Sequence, residues 1–223
     1  LSIQFTIPAL VEEEGRSVFP GKLFFDIVKN LPDAAVHVET GEDSAVITCD
    51  ASSFSIKTLD AEDFPGFPHV DTQQAISIPF SQFSSMVKRV ARVVSKDESR
   101  AILTGVLITF EGETLKMVAT DSYRLAITEA QLGEPAAEGF QAVISGSFLQ
   151  ELASLTRTDD PLTIALAENQ IVVTYHDTVF INRRIEGNFP NYRQLLPDSY
   201  ATRVRLNVSH LVSGVKRTSI LGQ

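Results

Sequence analysis

The sequence predicts an α+β protein assembled from repeated modules, each an antiparallel sheet carrying two helices. Three observations lead there. Stretches of the chain recur in the same order at offsets near 125 residues. Runs of period-two alternation are punctuated by turn residues, and short amphipathic helical stripes stand between them.

The composition allows real cores. The chain has 223 residues, 43% hydrophobic and 21% charged, with 12 Gly and 10 Pro, the make-up of an ordinary globular protein with one or two compact units. Its longest apolar stretch, Ala101 to Phe110, is interrupted by Thr and Gly and falls short of the roughly 18 residues of a membrane span. The single cysteine, Cys49, has no partner for an internal disulfide, so a reducing cytoplasm is the expected compartment. The opening residues lack the basic start and cleavage site of a signal peptide and read as mid-domain sequence.

The elements follow in order. Leu1 to Ile7 reads as a strand. GKLFFDIVKNLPD (21–33) spaces Phe24, Val28 and Leu31 as a helix, and SGSFLQELASLTR repeats the trio as Phe148, Leu152 and Leu155. FSIKTLDAEDFPGFP (54–68) ends a strand at Phe64-Pro65, as VFINRRIEGNFPNYRQLLP (179–197) does at Phe189-Pro190. Pro79 followed by Ser81 as N-cap opens a second helix. With Phe83 at zero, Val87, Val90 and Val94 fall at about 40°, 340° and 20°, while Lys88, Arg92, Lys96 and Arg89 fall at about 140°, 180°, 220° and 240°. This helix is apolar below and cationic above.

From Ile102, GVLITFEGETLKMVATDSYRLAITEAQL reads as a three-strand meander with turns at Glu111-Gly112 and Asp121-Ser122. A helix over Phe148–Leu155 follows. Strands come next at 162–166, 170–175 and 179–185, separated by residues 167–169 and by His176-Asp177. VRLNVSHLVSGVKRT (204–218) then restarts the pattern of 76–90, setting Leu211 over Phe83, Val215 over Val87, and Lys216-Arg217 over Lys88-Arg89. Each module is thus a helix and three strands, twice over. The offsets divide the chain into the back half of one module (1–73), a complete module (74–199) and the start of a third (200–223), the layout of a fragment.

Net charge is −9, which on average repels nucleic acid and anionic membrane. The charge is sorted, however. Residues 81–96 hold Lys88, Arg89, Arg92 and Lys96 and no acid, and the Lys-Arg pair returns at 216–217. A surface tuned only for solubility mixes the signs. Without interleaved aromatics, such a stripe suits phosphate contacts that do not read sequence.

Catalytic signals are missing. The four histidines, His37, His69, His176 and His210, form no ligand pattern and read as structural or surface residues. No nucleophile elbow, P-loop, dinucleotide fingerprint or H-E-x-x-H occurs. A non-enzymatic protein without metal or cofactor is expected.

The most unusual string is VATDSYRLA (118–126), where a Thr-Asp-Ser turn leads into adjacent Tyr, Arg and Leu. Together with FPNY (189–192) near the end of the same module, it resembles the bacterial DNA polymerase III beta sliding clamp family, and the resemblance runs through the helix starts, the Phe-Pro corners and the three-module layout. It implies the clamp fold, with sheets outside and helices inside a two-subunit ring around duplex DNA. It also implies a homodimer when full length, and as partners the polymerase alpha subunit, the clamp loader and other proteins carrying clamp motifs. Lys88, Arg89, Arg92, Lys96, Lys216 and Arg217 would face the DNA. Leu103, Thr120, Ser122, Tyr123, Arg124, Leu125, Pro190 and Leu195 would form the half of a partner-peptide groove present here, with Arg124 also a candidate prop for its own hairpin.

The chain departs from the family pattern at Ser122, where many members have a small, flexible residue, at Ala101-Ile102, where some have aromatics, and at Gln194, where some have Arg. It lacks most of a third module, and is expected to be monomeric or weakly associating. Two other readings stay open: a β-rich interaction module that never encircles DNA, and an enzyme on a duplicated α+β domain. A salt-dependent affinity for DNA separates the clamp from the first.

Overall fold

The computed structural model describes residues 1–66, 75–133, 141–155, 160–167 and 169–222. His69, Phe67-Pro68, Glu168 and the 73/74 module boundary lie outside them. The chain forms two compact units, Leu1–Glu186 and Gly187–Gln223.

The first unit contains, in order, β1 (Ser2–Phe5), α1 (Gly21–Lys29), β2 (Val36–Thr40), β3 (Ser44–Cys49), β4 (Ser52–Lys57), β5 (Ile76–Pro79) and α2 (Phe80–Val90). A kinked 3-10 segment, Glu98–Thr104, leads to β6 (Gly105–Glu111), β7 (Thr114–Thr120), β8 (Leu125–Gln131) and β9 (Gln141–Ser145). Then come α3 (Gly146–Ser154), β10 (Pro161–Leu166), β11 (Gln170–Tyr175) and β12 (Thr178–Arg183). The second unit holds a 3-10 turn, Tyr192–Leu195, the helix α4 (Val208–Thr218) and a short 3-10 turn, Ser219–Leu221.

Among the described residues three antiparallel sheets form, ordered β1-β12-β11-β10-β5, β2-β3-β4 and β8-β7-β6-β9. Two strands are additional to the sequence reading: β5 before α2 and β9 before α3. They cross over between the halves of the module. β5 pairs with β10 of the second half, and β9 pairs with β6 of the first, so neither half closes its sheet alone.

One core fills this module. Phe83, Val87 and Val90 of α2 and Leu149 and Leu152 of α3 are buried with Ile108, Met117, Ile164 and Val173 from the two sheets. At roughly 1.5–3 kcal/mol for each large aliphatic or aromatic side chain, their burial is the main driving force for the fold. Two polar bonds pin the helices together: Ser84 Oγ donates to the Ala153 carbonyl (3.0 Å) and Gln150 Nε2 to that of Ala91 (2.8 Å).

The repeat is visible in hydrogen-bond register. In the β3–β4 hairpin Ala45 faces Ile56 and Ile47 faces Phe54, and in the β11–β12 hairpin Ile171 faces Asn182 and Val173 faces Phe180. Ile171 lies 126 positions after Ala45. The turns match as well, since Asp50 (φ 54°) and His176 (φ 50°) both take the left-handed conformation.

Two details of α2 correct the sequence reading. Phe80 is already helical and Pro79 is the cap residue, with no side-chain cap bond, so Ser81 is not the N-cap. The helix also ends at Val90, not near Lys96, and Arg92, Val94 and Lys96 lie beyond it. The Val93 amide bonds to the Val90 carbonyl (2.9 Å) in a 3-10 step, and distant partners hold the segment beyond. Side chains from elsewhere take the carbonyls of Ala91 and Arg92, and the amide of Ser95 bonds to the Leu103 carbonyl (2.8 Å), which turns the chain away from the helix axis. The opening strand is likewise shorter than Leu1 to Ile7.

Candidate functional site

The β7–β8 turn is wired by its own side chains. Asp121 Oδ1 accepts the amides of Tyr123 and Arg124, both at 3.0 Å, and its Oδ2 accepts Arg124 Nε at 2.9 Å. Thr120 Oγ1 donates to the Arg124 carbonyl (2.9 Å) and accepts the Ser122 amide (3.2 Å). These bonds hold Ser122 at φ 79°, a left-handed conformation that a glycine adopts more easily. They also leave Tyr123 projecting into solvent, 95% exposed. The Arg124 amide, then the Tyr123 amide and the Arg124 guanidinium, keep the Asp121 carboxyl below its ordinary range against some desolvation.

A second wired turn precedes β6. Asp97 accepts from the Ser99 hydroxyl (2.6 Å) and amide (3.0 Å) and from Arg100 Nε (3.1 Å). The Ser99 bonds first, and Arg100 after them, hold the Asp97 carboxyl low. The two turns are joined, because Arg100 Nη1 donates to Ser122 Oγ (3.1 Å) and Arg124 Nη2 to the Arg92 carbonyl (3.2 Å). Arg100 therefore belongs to the site, although it is absent from the groove expected from sequence. The signal was present: Asp97-x-x-Arg100 and Asp121-x-x-Arg124 have the same spacing.

The structure thus gathers Thr120, Ser122, Tyr123, Arg124 and Leu125 into one turn and ties the 3-10 segment bearing Leu103 to it. Leu103 and Thr120 are buried and Leu125 is half-buried. Their parts are to pack and to brace, leaving Tyr123 as the open apolar contact. Pro190 and Leu195 belong to the second unit. There Pro190 accepts the Tyr192 amide (2.7 Å) and Leu195 is 67% exposed.

The expected cations cluster at helix ends. Lys88 and Arg89 stand on the last turn of α2, Arg92 and Lys96 in the segment beyond it, and Lys216 and Arg217 on the last turn of α4. All but the half-buried Lys88 are exposed. Among the described residues, none of the six is in an ion pair, whereas Arg100, Lys116 and Arg124 are. Basic residues at a helix C-terminus are also favoured by its dipole, which offsets part of their mutual repulsion. Arg92 and Lys96 open onto a cleft of about 750 Å³, which Ser145 and Ser147 at the start of α3 also line.

Residues 77–191 match the family model described as DNA polymerase III beta subunit, central domain, and residues 1–68 match the N-terminal domain of the same subunit. The chain belongs to the DNA polymerase III beta subunit family. A beta sliding clamp of Bacillus subtilis is 31% identical over 215 residues, and one of Staphylococcus epidermidis is 32% identical over 233. These alignments take in 96% and 100% of this chain but 57% and 62% of the relatives, so the chain spans about three-fifths of their length. The crystal structure of the Bacillus subtilis DNA polymerase sliding clamp superposes with a TM-score of 0.92 at 30% identity, covering 99% of this chain and 61% of that one. A putative beta subunit from Eubacterium rectale also gives 0.92, at 26% identity. The α+β architecture is the sliding-clamp fold.

Proposed function

We propose that this chain is part of a DNA polymerase processivity factor, a non-catalytic clamp that encircles duplex DNA and tethers the polymerase and other replication proteins. On this reading residues 1–73, 74–199 and 200–223 are the back of one clamp module, a whole module and the start of another, in a cytoplasmic protein that dimerises at full length. The observation that carries it, beyond family membership, is a set of six cations, none in an ion pair among the described residues, on a protein of net charge −9. Lys88, Arg89, Arg92, Lys96, Lys216 and Arg217 screen phosphates without reading bases, and acidic surfaces elsewhere discourage binding in other poses. Affinity stays low, so the ring slides, and topology supplies retention.

The wired turn at 120–125 is the partner-binding half-groove. Its preset backbone presents Tyr123 to a short linear motif, and burial of apolar anchors against a rigid platform supplies the affinity. Arg100 and Arg124 offer donors to acidic groups of the motif.

The test is the salt dependence of binding to random-sequence duplex, read by fluorescence anisotropy, for the wild type and the Lys88→Glu/Arg89→Glu/Arg92→Glu variant. A wild-type log–log slope that flattens, in the variant, by about one for each phosphate no longer neutralised supports the proposal. No salt-dependent binding, or a slope that the substitutions leave unchanged, favours a β-rich interaction module that does not engage DNA.

A further inference from the structure

The two wired turns of the complete module brace each other. Asp97 holds Arg100 through Nε (3.1 Å), and Asp121 holds Arg124 in the same way (2.9 Å). Each arginine then crosses to the other turn, Arg100 Nη1 donating to Ser122 Oγ (3.1 Å) and Arg124 Nη2 to the Arg92 carbonyl (3.2 Å). With the backbone stretches 92–100 and 121–124, these bonds close a circuit. Neither stretch shifts without breaking a bond on which the other relies.

The circuit joins two chemistries and is built to open. On one side stand Arg92 and Lys96, exposed and in no ion pair among the described residues. On the other stands the exposed ring of Tyr123. Residues 91–97 form neither helix nor strand. Val93 and Val94 anchor them on the core, while Arg92, Ser95 and Lys96 wall a cleft of about 750 Å³ whose other side carries Ser145 and Ser147 at the start of α3, so the charged part of the segment has room to move. Both crossing bonds are exposed to solvent, and such bonds open locally more readily than those of a packed core. The amides of Ser122, Tyr123 and Arg124 bond to side chains of the turn itself, Thr120 Oγ1 and Asp121 Oδ1. Their exchange with solvent therefore reports whether the turn is formed.

We propose that this cross-brace couples DNA binding to partner binding. A duplex held at Arg92 and Lys96 fixes the 92–100 segment, the crossing arginines pass that order to the turn, and Tyr123 is then presented to a linear motif with less order left to impose. The coupling rests on the reading above, in which these cations meet phosphates and this turn meets partner motifs. Linkage makes it reciprocal: a motif seated on the turn tightens the duplex by the same factor. The protein on DNA is then a better docking platform than the protein free in solution.

The test is NMR-detected amide exchange at Ser122, Tyr123 and Arg124 of the 223-residue chain, with and without a short random-sequence duplex at low salt, saturation being read by fluorescence anisotropy. Duplex should slow exchange of the wild-type turn amides by about fivefold or more. Two variants separate transmission from direct contact. Ser122→Ala/Arg124→Lys loses the Arg100 crossing and leaves a side chain that cannot serve Asp121 and the Arg92 carbonyl together, so it should show no slowing at its own saturating duplex concentration. Ser122→Ala alone should keep part of the effect, and a thermal melt followed by circular dichroism checks that both variants fold. Saturable binding that leaves the wild-type amides unchanged, or slowing that survives in the double variant, would overturn the coupling and leave the DNA reading standing. A chain that binds no duplex would overturn both.

Discussion

Arg124 reaches back across the β7–β8 turn and donates through Nη2 to the main-chain carbonyl of Arg92, 3.2 Å away. One end of this bond lies in the proposed partner groove and the other in the cationic segment beyond α2. Arg92 lies just beyond the end of α2, and the bond ties that segment to the turn. Replacing Arg124 by Lys keeps the charge but loses the planar fork that serves Asp121 and Arg92 together. The expected outcome is faster amide hydrogen exchange at Val93 to Ser95 with little change in the exchange of β6 and β7. Unchanged exchange there would mean that the bond carries no constraint.

Ser122 separates two opposing contributions. Its left-handed backbone costs on the order of 1 kcal/mol relative to glycine, while its hydroxyl accepts from Arg100. Ser122→Ala keeps the strain and loses the bond, whereas Ser122→Gly loses both. The expected stability order in urea unfolding has Ser122→Ala lowest, with Ser122→Gly close to the wild type. An alanine variant as stable as the glycine one would show that φ at this position carries no strain.

The carboxyl of Asp121 gives the turn a pH signature. Its folded-state pKa is depressed below the ordinary 3.8, chiefly by the Arg124 amide. A depressed carboxyl adds stability that is present above the unfolded pKa and is lost as pH falls through the folded one. The turn is therefore expected to hold at pH 5 and above and to loosen only below about 3.8. An NMR titration of the Tyr123 and Arg124 amides checks this, and a midpoint above 3.8 would contradict the hydrogen bonding described.

Gly105 and Gly146 allow close approach inside the module. A Cβ on Gly105 would clash with Val143 Cγ1 and lie 2.9 Å from Ile185 Cδ1, and one on Gly146 would lie 2.9 Å from both methyls of Val94. Each Gly→Ala substitution is expected to cost about 1–3 kcal/mol by overpacking, measured by urea unfolding. The same change at Gly133, where a Cβ would meet no atom of the described residues within 4 Å, is the control and should be near neutral.

Much of the fold was legible because its signals are local. The Phe24, Val28, Leu31 spacing, the hairpin turn at His176-Asp177 and the stripe of Phe83, Val87 and Val90 each depend on neighbours within a few residues. The crossover of β5 and β9 was not legible, since strands of four and five residues carry little periodicity and their partners lie far along the chain. The end of α2 was missed for a similar reason: Gln150 and Arg124, which bond the carbonyls of Ala91 and Arg92 just past it, are distant in sequence. Arg100 escaped notice because its role comes from a bond to Ser122 across two turns.

The central claim is that the proposed clamp is held on DNA by topology. The most direct measurement takes the longest reading frame that contains this chain, loads it with its clamp loader and ATP onto nicked circular DNA, and passes it over a sizing column in raised salt, before and after linearising the circle. High salt removes electrostatic binding. Protein that stays with the circle and is lost from the linear form is the expected result. Equal loss from both, with a known clamp loading normally in parallel, would contradict encirclement.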